Sequence, residues 1–257
     1  MTIHTGHNIN IKIHEPTAVT IGKFDGLHRG HTALIKLLKN EAQKRNLACA
    51  ILSFSPHPAA VLANQKEMPL LLTSQEKCDM LIQMGIDHFI EYPFTREFAE
   101  LSPRQFVADI LINKLETRLL VVGEDYRFGK GRQGDIAAAK EFGREFGMDV
   151  LATKHIEQNG DKISSNAIRS YIAKCDFAGA EQMLGYPYFV SYSSQGFDDN
   201  KLLPPIGKYM CKIYADEGIF SDIVEVMENK ININVSYHRI EFCYLIDFLR
   251  NNVEPIL

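Results

Sequence analysis

Between residue 17 and about residue 185, short apolar runs alternate with stretches in which apolar residues recur every three or four positions. The short runs predict buried strands and the periodic stretches predict amphipathic helices. The predicted strands lie at 17–24, 47–55, 87–92, 118–123 and 149–156. The predicted helices lie at 32–45, 74–84, 102–115, 134–147, 165–174 and 176–184. This alternation predicts an α/β fold with a parallel sheet covered by helices on both faces.

The pattern changes after Gly185-Tyr186-Pro187, which interrupts the helical periodicity. In the following stretch, apolar and polar residues alternate or β-branched residues are frequent, and Gly, Asp and Asn separate the segments. This pattern predicts a small antiparallel β-domain. Its predicted strands lie at 188–194, 206–214, 222–227 and 231–236, and the stretch from Arg239 to Arg250 is compatible with either strand or helix. We therefore expect one domain over residues 1–187 and a barrel-like β-domain over residues 188–257.

Composition narrows the class of protein. With 46% hydrophobic and 23% charged residues, the 257-residue chain has the balance of an ordinary globular protein. Its net charge of −4 and pI near 6.1 argue against nucleic acid as a partner. No apolar run approaches the roughly 20 residues needed to span a bilayer, and the amino terminus lacks the features of a signal peptide. We expect a cytoplasmic protein with no membrane partner. The sequence leaves the oligomeric state open.

The segment Gly22-Lys23-Phe24-Asp25-Gly26-Leu27-His28-Arg29-Gly30-His31 joins the first predicted strand to the first predicted helix. Glycines let main-chain N–H groups approach a ligand closely, and a helix amino terminus favours anionic groups. Two imidazoles three residues apart on a first helical turn can face the same phosphate. The H-x-G-H segment therefore predicts a site for a nucleoside triphosphate.

Two other interpretations of this segment remain open. A glycine-rich turn between a strand and a helix can be purely structural. The two histidines can also be half of a zinc site, which requires further His, Cys or carboxylate ligands at suitable spacing. The scattered cysteines, which suggest a reducing compartment, form no C-x-x-C pair: Cys49, Cys78, Cys175, Cys211 and Cys243.

Three more clusters each follow a predicted strand or open a predicted helix. In Phe54-Ser55-Pro56-His57-Pro58, His57 either contacts a ligand or bonds to the main chain. The glycine-rich segment 123–135 suits a loop that stacks on a planar ring, or an ordinary solvated turn. In Ile163-Ser164-Ser165-Asn166-Ala167-Ile168-Arg169, helix capping by a serine is the default, and a second phosphate-binding element is the alternative. Since ligands bind beyond the carboxyl ends of parallel strands, the loops after residues 24, 55 and 123 should converge there.

Together these motifs resemble the prokaryotic FAD synthetase family, the bifunctional riboflavin kinase/FMN adenylyltransferases. The matching motifs span residues 17–188 in the family's order: GKFDGLHRGH, FSPHP, LTSQEK, FAELSPRQFV, VVGEDYRFGKGRQGD, ISSNAIR and LGYPY. The H-x-G-H and ISSxxIR elements are shared more widely by nucleotidyltransferases of the same superfamily. FSPHP and GEDYRFG restrict the resemblance to the flavin branch.

The resemblance implies a Rossmann-like nucleotidyltransferase domain that transfers AMP from ATP to FMN, giving FAD and pyrophosphate. It also implies Mg²⁺ as an ion that bridges the phosphates, and it identifies no protein ligand for this ion. The residues implied in catalysis are His28, His31, Ser164 and Arg169. Those implied in binding the nucleotide are Gly22, Lys23, Phe24, Asp25, Gly30 and Ser165. Those implied on the flavin side are His57, Pro58, Asp125, Arg127 and Phe128.

The chain departs from the family pattern at two places. Asn166 stands where the family's ISST motif has threonine, which keeps a hydrogen-bonding group but changes its shape. The P-T-A-N motif of the kinase domain is absent, because the chain runs from Ser193 through Asn200 directly to a segment resembling the one after that motif. Glu225 and Glu241 are weak candidates for the kinase's catalytic glutamate. We therefore expect a shortened barrel without riboflavin kinase activity.

Two alternative functions follow from the same features. The acceptor can be another phosphorylated compound, such as nicotinamide mononucleotide or phosphopantetheine. The altered ISSN motif and the shortened second domain also fit a non-catalytic regulator that binds a flavin or a nucleotide.

Overall fold

In the computed structural model, two compact units are formed by the described residues, which are 1–5, 11–56, 58–63, 68–154, 157–158, 161–191, 198, 200–228, 230–233 and 237–247. The first unit comprises Met1–Met68 and Lys77–Lys162, and the second comprises Pro69–Glu76 and Ile163–Leu257. The domain boundary expected at residue 187 stays a prediction.

A six-stranded parallel sheet forms the centre of the first unit. Its strands are β1 (Thr2–His4), β2 (Thr17–Ile21), β3 (Ala48–Ser55), β4 (His88–Pro93), β5 (Thr117–Gly123) and β6 (Asp149–Thr153), arranged in the order β1-β4-β3-β2-β5-β6. The five predicted strands are confirmed. Strand β1 was not predicted, because its three residues carry no apolar run and it forms only by pairing with β4 at the sheet edge.

Helices cover both faces of this sheet. They are α1 (Arg29–Arg45), α2 (Pro58–Ala63), α3 (Ser74–Gln83), α4 (Arg96–Ala99), α5 (Pro103–Gln105) and α6 (Ile136–Phe146), and α5 continues as a π-helix over Phe106–Ile112. Val19 and Leu120 point to one face of the sheet and their neighbours Ala18 and Leu119 to the other, and all four are fully buried. A short hairpin, β7 (Glu157–Gln158) and β8 (Asp161–Lys162), completes the unit.

The strand order places a topological switch point between β2 and β5. From β2 the chain passes through α1 to β3 on one side, while β5 pairs with β2 on the other side. In open α/β sheets the crevice for a ligand lies beyond the carboxyl ends of the strands at such a point. The loops after β2 and after β5 therefore flank the expected ligand position.

The second unit contains a five-stranded antiparallel sheet curled into a half-barrel. Its strands are β9 (Phe189–Ser191), β10 (Gly207–Ala215), β11 (Gly218–Met227), β12 (Lys230–Asn232) and β13 (Arg239–Asp247), and two helices, α7 (Ser165–Ala173) and α8 (Phe177–Leu184), precede them. Tyr209, Val224 and Phe242 share one core with Ile168 and Phe177 from the two helices. The stretch Arg239–Asp247 is a strand, because it pairs with both β10 and β9, and residues 248–250 lie outside the described residues.

No helix in the described part of the chain is long and apolar enough to cross a bilayer.

Gly143 in α6 provides a test of the close packing of this helix. A Cβ atom at Gly143 would lie 2.3 Å from the Met148 carbonyl oxygen. Replacing glycine by alanine within a helix ordinarily stabilises it by about 0.5–1 kcal/mol. Here we expect Gly143→Ala to lower the free energy of unfolding by about 1–3 kcal/mol, since the main chain must shift. Urea unfolding measures the change, with the exposed Ala137→Gly variant as a control for helix propensity. A stabilised Gly143→Ala variant would contradict this packing.

Candidate active site

Buried apolar side chains anchor the turn that follows β2. Phe24 and Leu27 have positive φ angles of 51° and 34°, and their side chains are buried. A non-glycine residue in this region costs on the order of 1–3 kcal/mol, which the surrounding packing must offset. The Gly22 N–H also donates a hydrogen bond to the Leu52 carbonyl oxygen at 3.1 Å. The turn is therefore a firmly packed element with a set conformation.

Two glycines in the turn leave room for aromatic rings. A Cβ atom at Gly30 would lie 3.1 Å from two atoms of the His28 ring, and one at Gly22 would lie 3.2 Å from the Phe24 ring. These separations are shorter than ordinary van der Waals contacts. The glycines of the motif thus let the rings lie directly on the main chain.

His28 is the N-cap of α1. Its backbone is extended, with φ −62° and ψ 172°, and its Nδ1 atom accepts a hydrogen bond from the His31 main-chain N–H at 3.3 Å. A neutral imidazole carries one proton, so a ring that accepts at Nδ1 bears its proton on Nε2. This assigns His28 the Nε2–H tautomer, which is a hydrogen-bond donor.

The two histidine rings stack on each other. Their centroids are 3.7 Å apart with 13° between the planes, and the Phe24 ring lies 5.0 Å from the His31 ring. The Nδ1 atom of His31 is buried and has no hydrogen-bond partner within the described residues. An unsatisfied buried polar atom is costly, so it marks a place where a ligand or a water molecule would be stabilising.

Burial keeps both imidazoles neutral. Loss of solvation lowers the pKa of His28 to about 4, and the nearby Asp25 carboxylate only partly opposes this effect. Loss of solvation lowers the pKa of His31 well below its usual value, and His28 and Lys77 lower it further. At neutral pH the pair therefore offers hydrogen-bond donors rather than positive charges. The cation within the turn is Lys23, whose Nζ lies 3.9 Å from the buried Asp25 carboxylate.

The loop after β5 contains both exposed and buried candidates. Asp125 and Arg127 are exposed, whereas Phe128 is buried and stacks on Tyr126 with 5.3 Å between ring centroids. Phe128 also exchanges two main-chain hydrogen bonds with Gly134, at 2.9 and 3.0 Å. The loop is a closed, hydrogen-bonded structure, so the interpretation as an ordinary solvated turn is wrong for Phe128. A flavin contact by these residues stays a prediction.

Of the two remaining flavin-side candidates, one is outside the described residues. This is His57, so its two interpretations stay open. Pro58 is half-buried and begins α2.

The ISSNAIR candidates belong to the second unit. The Ser164 hydroxyl accepts a hydrogen bond from the Ala167 N–H at 3.2 Å, which confirms the capping role, and Ser165 is the first residue of α7. Arg169 donates hydrogen bonds from Nε and Nη2 to the Pro69 carbonyl oxygen at 3.2 and 2.9 Å. Asn166, which replaces the family's threonine, is exposed. A phosphate contact by these residues stays a prediction.

One residue of the histidine site was missed from the sequence. Lys77 has a side chain only 9% exposed, lies 3.7 Å from Glu91, and helps to lower the pKa of His31. It is the last residue of the LTSQEK motif, so the motif itself was the available signal. Its effect on His31 depends on spatial proximity, which is not evident from the sequence because the two residues are 46 positions apart.

The described residues contain no group of three His, Cys, Asp or Glu side chains placed to hold a metal ion. Because a zinc site needs such a group, the H-x-G-H pair finds no complete set of zinc ligands within this part of the chain.

The fold and this site define a class of protein. A parallel α/β sheet, with a glycine-containing turn and a capped helix amino terminus at its switch point, is typical of proteins that bind nucleotides at the strand ends. The model of the FAD synthetase family matches residues 10–167. The chain belongs to the FAD synthetase family.

Curated relatives agree with this assignment. The chain is 38% identical over 185 residues to the bifunctional riboflavin kinase/FMN adenylyltransferase of Escherichia coli K12, a match that covers 72% of this chain and 59% of that protein. It is 35% identical over 206 residues to the FAD synthetase of Listeria monocytogenes, covering 78% of this chain and 81% of that protein. The chain thus spans about three fifths of the length of the Escherichia coli relative.

A solved structure supports the fold alone. It is entitled a macrolide-efflux protein from Streptococcus pneumoniae and superposes with a TM-score of 0.77 at 21% identity, covering 96% of this chain and 90% of that one.

The lowered pKa of His28 predicts a pH-dependent stability. The unfolded imidazole binds its proton near pH 6.5 and the folded one near pH 4, so the unfolded state holds more protons between these values. The contribution of His28 to the free energy of unfolding is therefore complete above pH 6.5 and is lost as the pH falls towards 4. We expect this loss to reach about 2–3 kcal/mol at pH 4.5.

Urea unfolding at several pH values between 7 and 4.5 measures this effect. Over this range the His28→Gln variant should lose about 2–3 kcal/mol less stability than the wild type loses. The exposed His238, which lies 2.8 Å from Asp216, provides the control variant His238→Gln. Equal pH slopes for wild type and His28→Gln would show that His28 is not a buried neutral imidazole.

Proposed function

We propose that this protein transfers AMP from ATP to FMN, forming FAD and pyrophosphate. The stacked, neutral His28–His31 pair at the start of α1, beside the switch point of the sheet, is the observation that carries the proposal. Membership of the FAD synthetase family and the names of the relatives supply the substrates ATP and FMN.

The chemistry fits a site without a strong base. A phosphate oxygen of FMN attacks the α-phosphorus of ATP, and the bond from that phosphorus to the oxygen bridging the β-phosphorus breaks, so pyrophosphate leaves. The FMN phosphate is already anionic near neutral pH, so no group has to remove a proton. Positioning and stabilisation of the charge on the leaving group then supply most of the rate acceleration.

We propose these roles for the candidate residues. His28 donates from Nε2–H to the β-phosphate and His31 contacts the α-phosphate, which would satisfy the buried Nδ1 atom of His31. The turn Gly22–Asp25, with Gly30, receives the nucleotide, and Ser164, Ser165 and Arg169 also contact its phosphates. The flavin side is formed by His57, Pro58, Asp125, Arg127 and Phe128.

The protein offers Mg²⁺ no cage of its own within its described residues. Mg²⁺ prefers near-octahedral oxygen ligands and commonly keeps its waters while binding substrate phosphates. Asp25, the buried carboxylate of the turn, already faces Lys23. We therefore propose that any Mg²⁺ enters with the nucleotide phosphates.

We further propose that riboflavin kinase activity is absent. The P-T-A-N motif is missing from the sequence, and both candidate glutamates have partners. Glu225 lies 3.0 Å from Lys208, and Glu241 is buried with Arg239 at 2.9 Å. A carboxylate engaged in this way is a poor base for activating a hydroxyl group.

Product analysis with two acceptors tests both proposals. The purified protein is incubated with ATP, Mg²⁺ and either FMN or riboflavin, and the flavins are separated by chromatography while pyrophosphate is measured. We expect FAD and pyrophosphate from FMN, and no new flavin from riboflavin. FMN formed from riboflavin would disprove the loss of kinase activity. Turnover with nicotinamide mononucleotide or phosphopantetheine but not FMN, or tight flavin binding without pyrophosphate release, would favour one of the alternative functions.

Single substitutions of the histidine pair test the mechanism. We expect His28→Ala and His31→Ala each to lower kcat/KM by roughly 10²–10³, the usual effect of removing one donor that stabilises a developing charge. His28→Ala should also destabilise the fold by about 1 kcal/mol through loss of the cap. Initial rates and thermal melts are compared with those of His238→Ala, a substitution of an exposed histidine. Normal turnover by either variant would refute the proposed roles.

A further inference from the structure

Main-chain pairing holds residues 69–76 within the second unit. The Leu70 N–H donates a hydrogen bond to the Asn200 carbonyl oxygen at 2.6 Å, and the Leu202 N–H donates one to the Leu70 carbonyl oxygen at 2.8 Å. The segment is therefore attached to the short stretch 200–202 that precedes β10. We call residues 69–76 the 69–76 segment.

Lys201 is the centre of this attachment. Its Nζ atom donates to the Glu76 carboxylate at 2.6 Å and to the Leu71 carbonyl oxygen at 2.7 Å. The two charged side chains are only 1% and 4% exposed. The same ammonium group lies 5.2 Å and 5.1 Å from the ring centroids of Tyr188 and Phe189. A buried ammonium is tolerated only with such partners, so this position of Lys201 is strongly specified.

Glu76 links the end of the segment to β9. One carboxylate oxygen accepts a hydrogen bond from the Ser191 N–H at 2.9 Å, and the other accepts one from the Thr73 N–H at 2.9 Å. The Glu76 N–H in turn donates to the Thr73 hydroxyl at 3.2 Å, which completes a capping box at the start of α3. Lys201 and Glu76 together thus fix the segment from Leu70 to its end.

The beginning of the same segment orients Arg169. Both Nε and Nη2 of the guanidinium group donate to the Pro69 carbonyl oxygen. Two bonds from one planar group to one atom set the direction of that plane. This contact with a carbonyl oxygen therefore fixes the orientation of the guanidinium group.

We propose that Lys201 is a positioning residue for Arg169, acting through the 69–76 segment. Lys201 fixes Leu71 and Glu76, the segment holds the Pro69 carbonyl oxygen, and that oxygen fixes the orientation of the guanidinium group. This inference rests on the proposed function, in which Arg169 contacts those phosphates. It assigns a task to the chain after residue 187, since that part of the chain supplies Lys201 and Ser191.

Two sets of variants test the positioning role. Lys201→Met removes the ammonium group and keeps a long apolar side chain. The double variant Glu76→Gln with Lys201→Gln removes both charges, so it leaves no unpaired buried charge and serves if Lys201→Met does not fold. Lys208→Met is the matched control, because Lys208 pairs with Glu225 at 3.0 Å in the same unit but its side chain is 43% exposed.

A double-mutant cycle with Arg169→Ala gives the kinetic readout. We expect Lys201→Met to lower kcat/KM for ATP on the order of tenfold to a hundredfold, the effect of misplacing a binding group. In the Arg169→Ala background the same change should have little further effect, while Lys208→Met should leave kcat/KM unchanged. A reduction by Lys201→Met of the same factor in both backgrounds would overturn the proposal, since it would reflect a general structural effect.

Exchange of the Arg169 side-chain Nε–H gives a second readout that needs no turnover. Its ¹⁵N resonance is assigned by its absence in Arg169→Lys. We expect slow solvent exchange in the wild type and in Lys208→Met, and faster exchange in Lys201→Met or in the double variant. If the wild type makes no FAD but the exchange becomes faster when Lys201 is replaced, the proposed function fails and the attachment of Arg169 to Lys201 stands. If FAD forms and neither readout responds, the positioning role is wrong.

Discussion

The hydrogen bond from the His31 N–H to His28 Nδ1 is the interaction on which the candidate site depends. It ends the turn after β2 and begins α1, because it satisfies one of the otherwise unpaired N–H groups of the first helical turn. It also sets the tautomer of His28 and brings the ring over Gly30, where it stacks on His31. One contact thus serves the fold and prepares the donor that the proposed reaction uses.

Neutrality of the histidine pair follows from the same packing. Two stacked imidazoles taken out of water would repel each other if both were protonated, and burial already lowers the pKa of each. Neutral donors suit a reaction whose nucleophile needs no deprotonation, since the site has only to place the phosphates and stabilise charge on the departing pyrophosphate. The turn can be rigid for the same reason, because no group in it has to exchange a proton during turnover.

Two kinds of contact hold the second unit together. Its five-stranded sheet shares a core with α7, the helix that carries Ser165 and Arg169. The buried Lys201–Glu76 pair adds polar contacts that join the 69–76 segment to the same unit. A buried ion pair contributes little net stability compared with apolar packing, so its value lies in specifying one arrangement. That arrangement is the one on which the orientation of Arg169 depends.

The sequence by itself determined the strands β2 to β6, the helices α1, α3, α5 and α6, the capping role of Ser164 and the family, because periodicity, caps and motifs are local properties of the chain. The short helices α2 and α4 were not predicted. Only the tertiary structure decided that Thr2–His4 adds a strand, that Arg239–Asp247 is a strand rather than a helix, and that His28 and His31 are neutral. Each of these depends on a neighbour supplied by a distant part of the chain. The Lys201–Glu76 pair joins residues 125 positions apart, and no local pattern encodes such a contact.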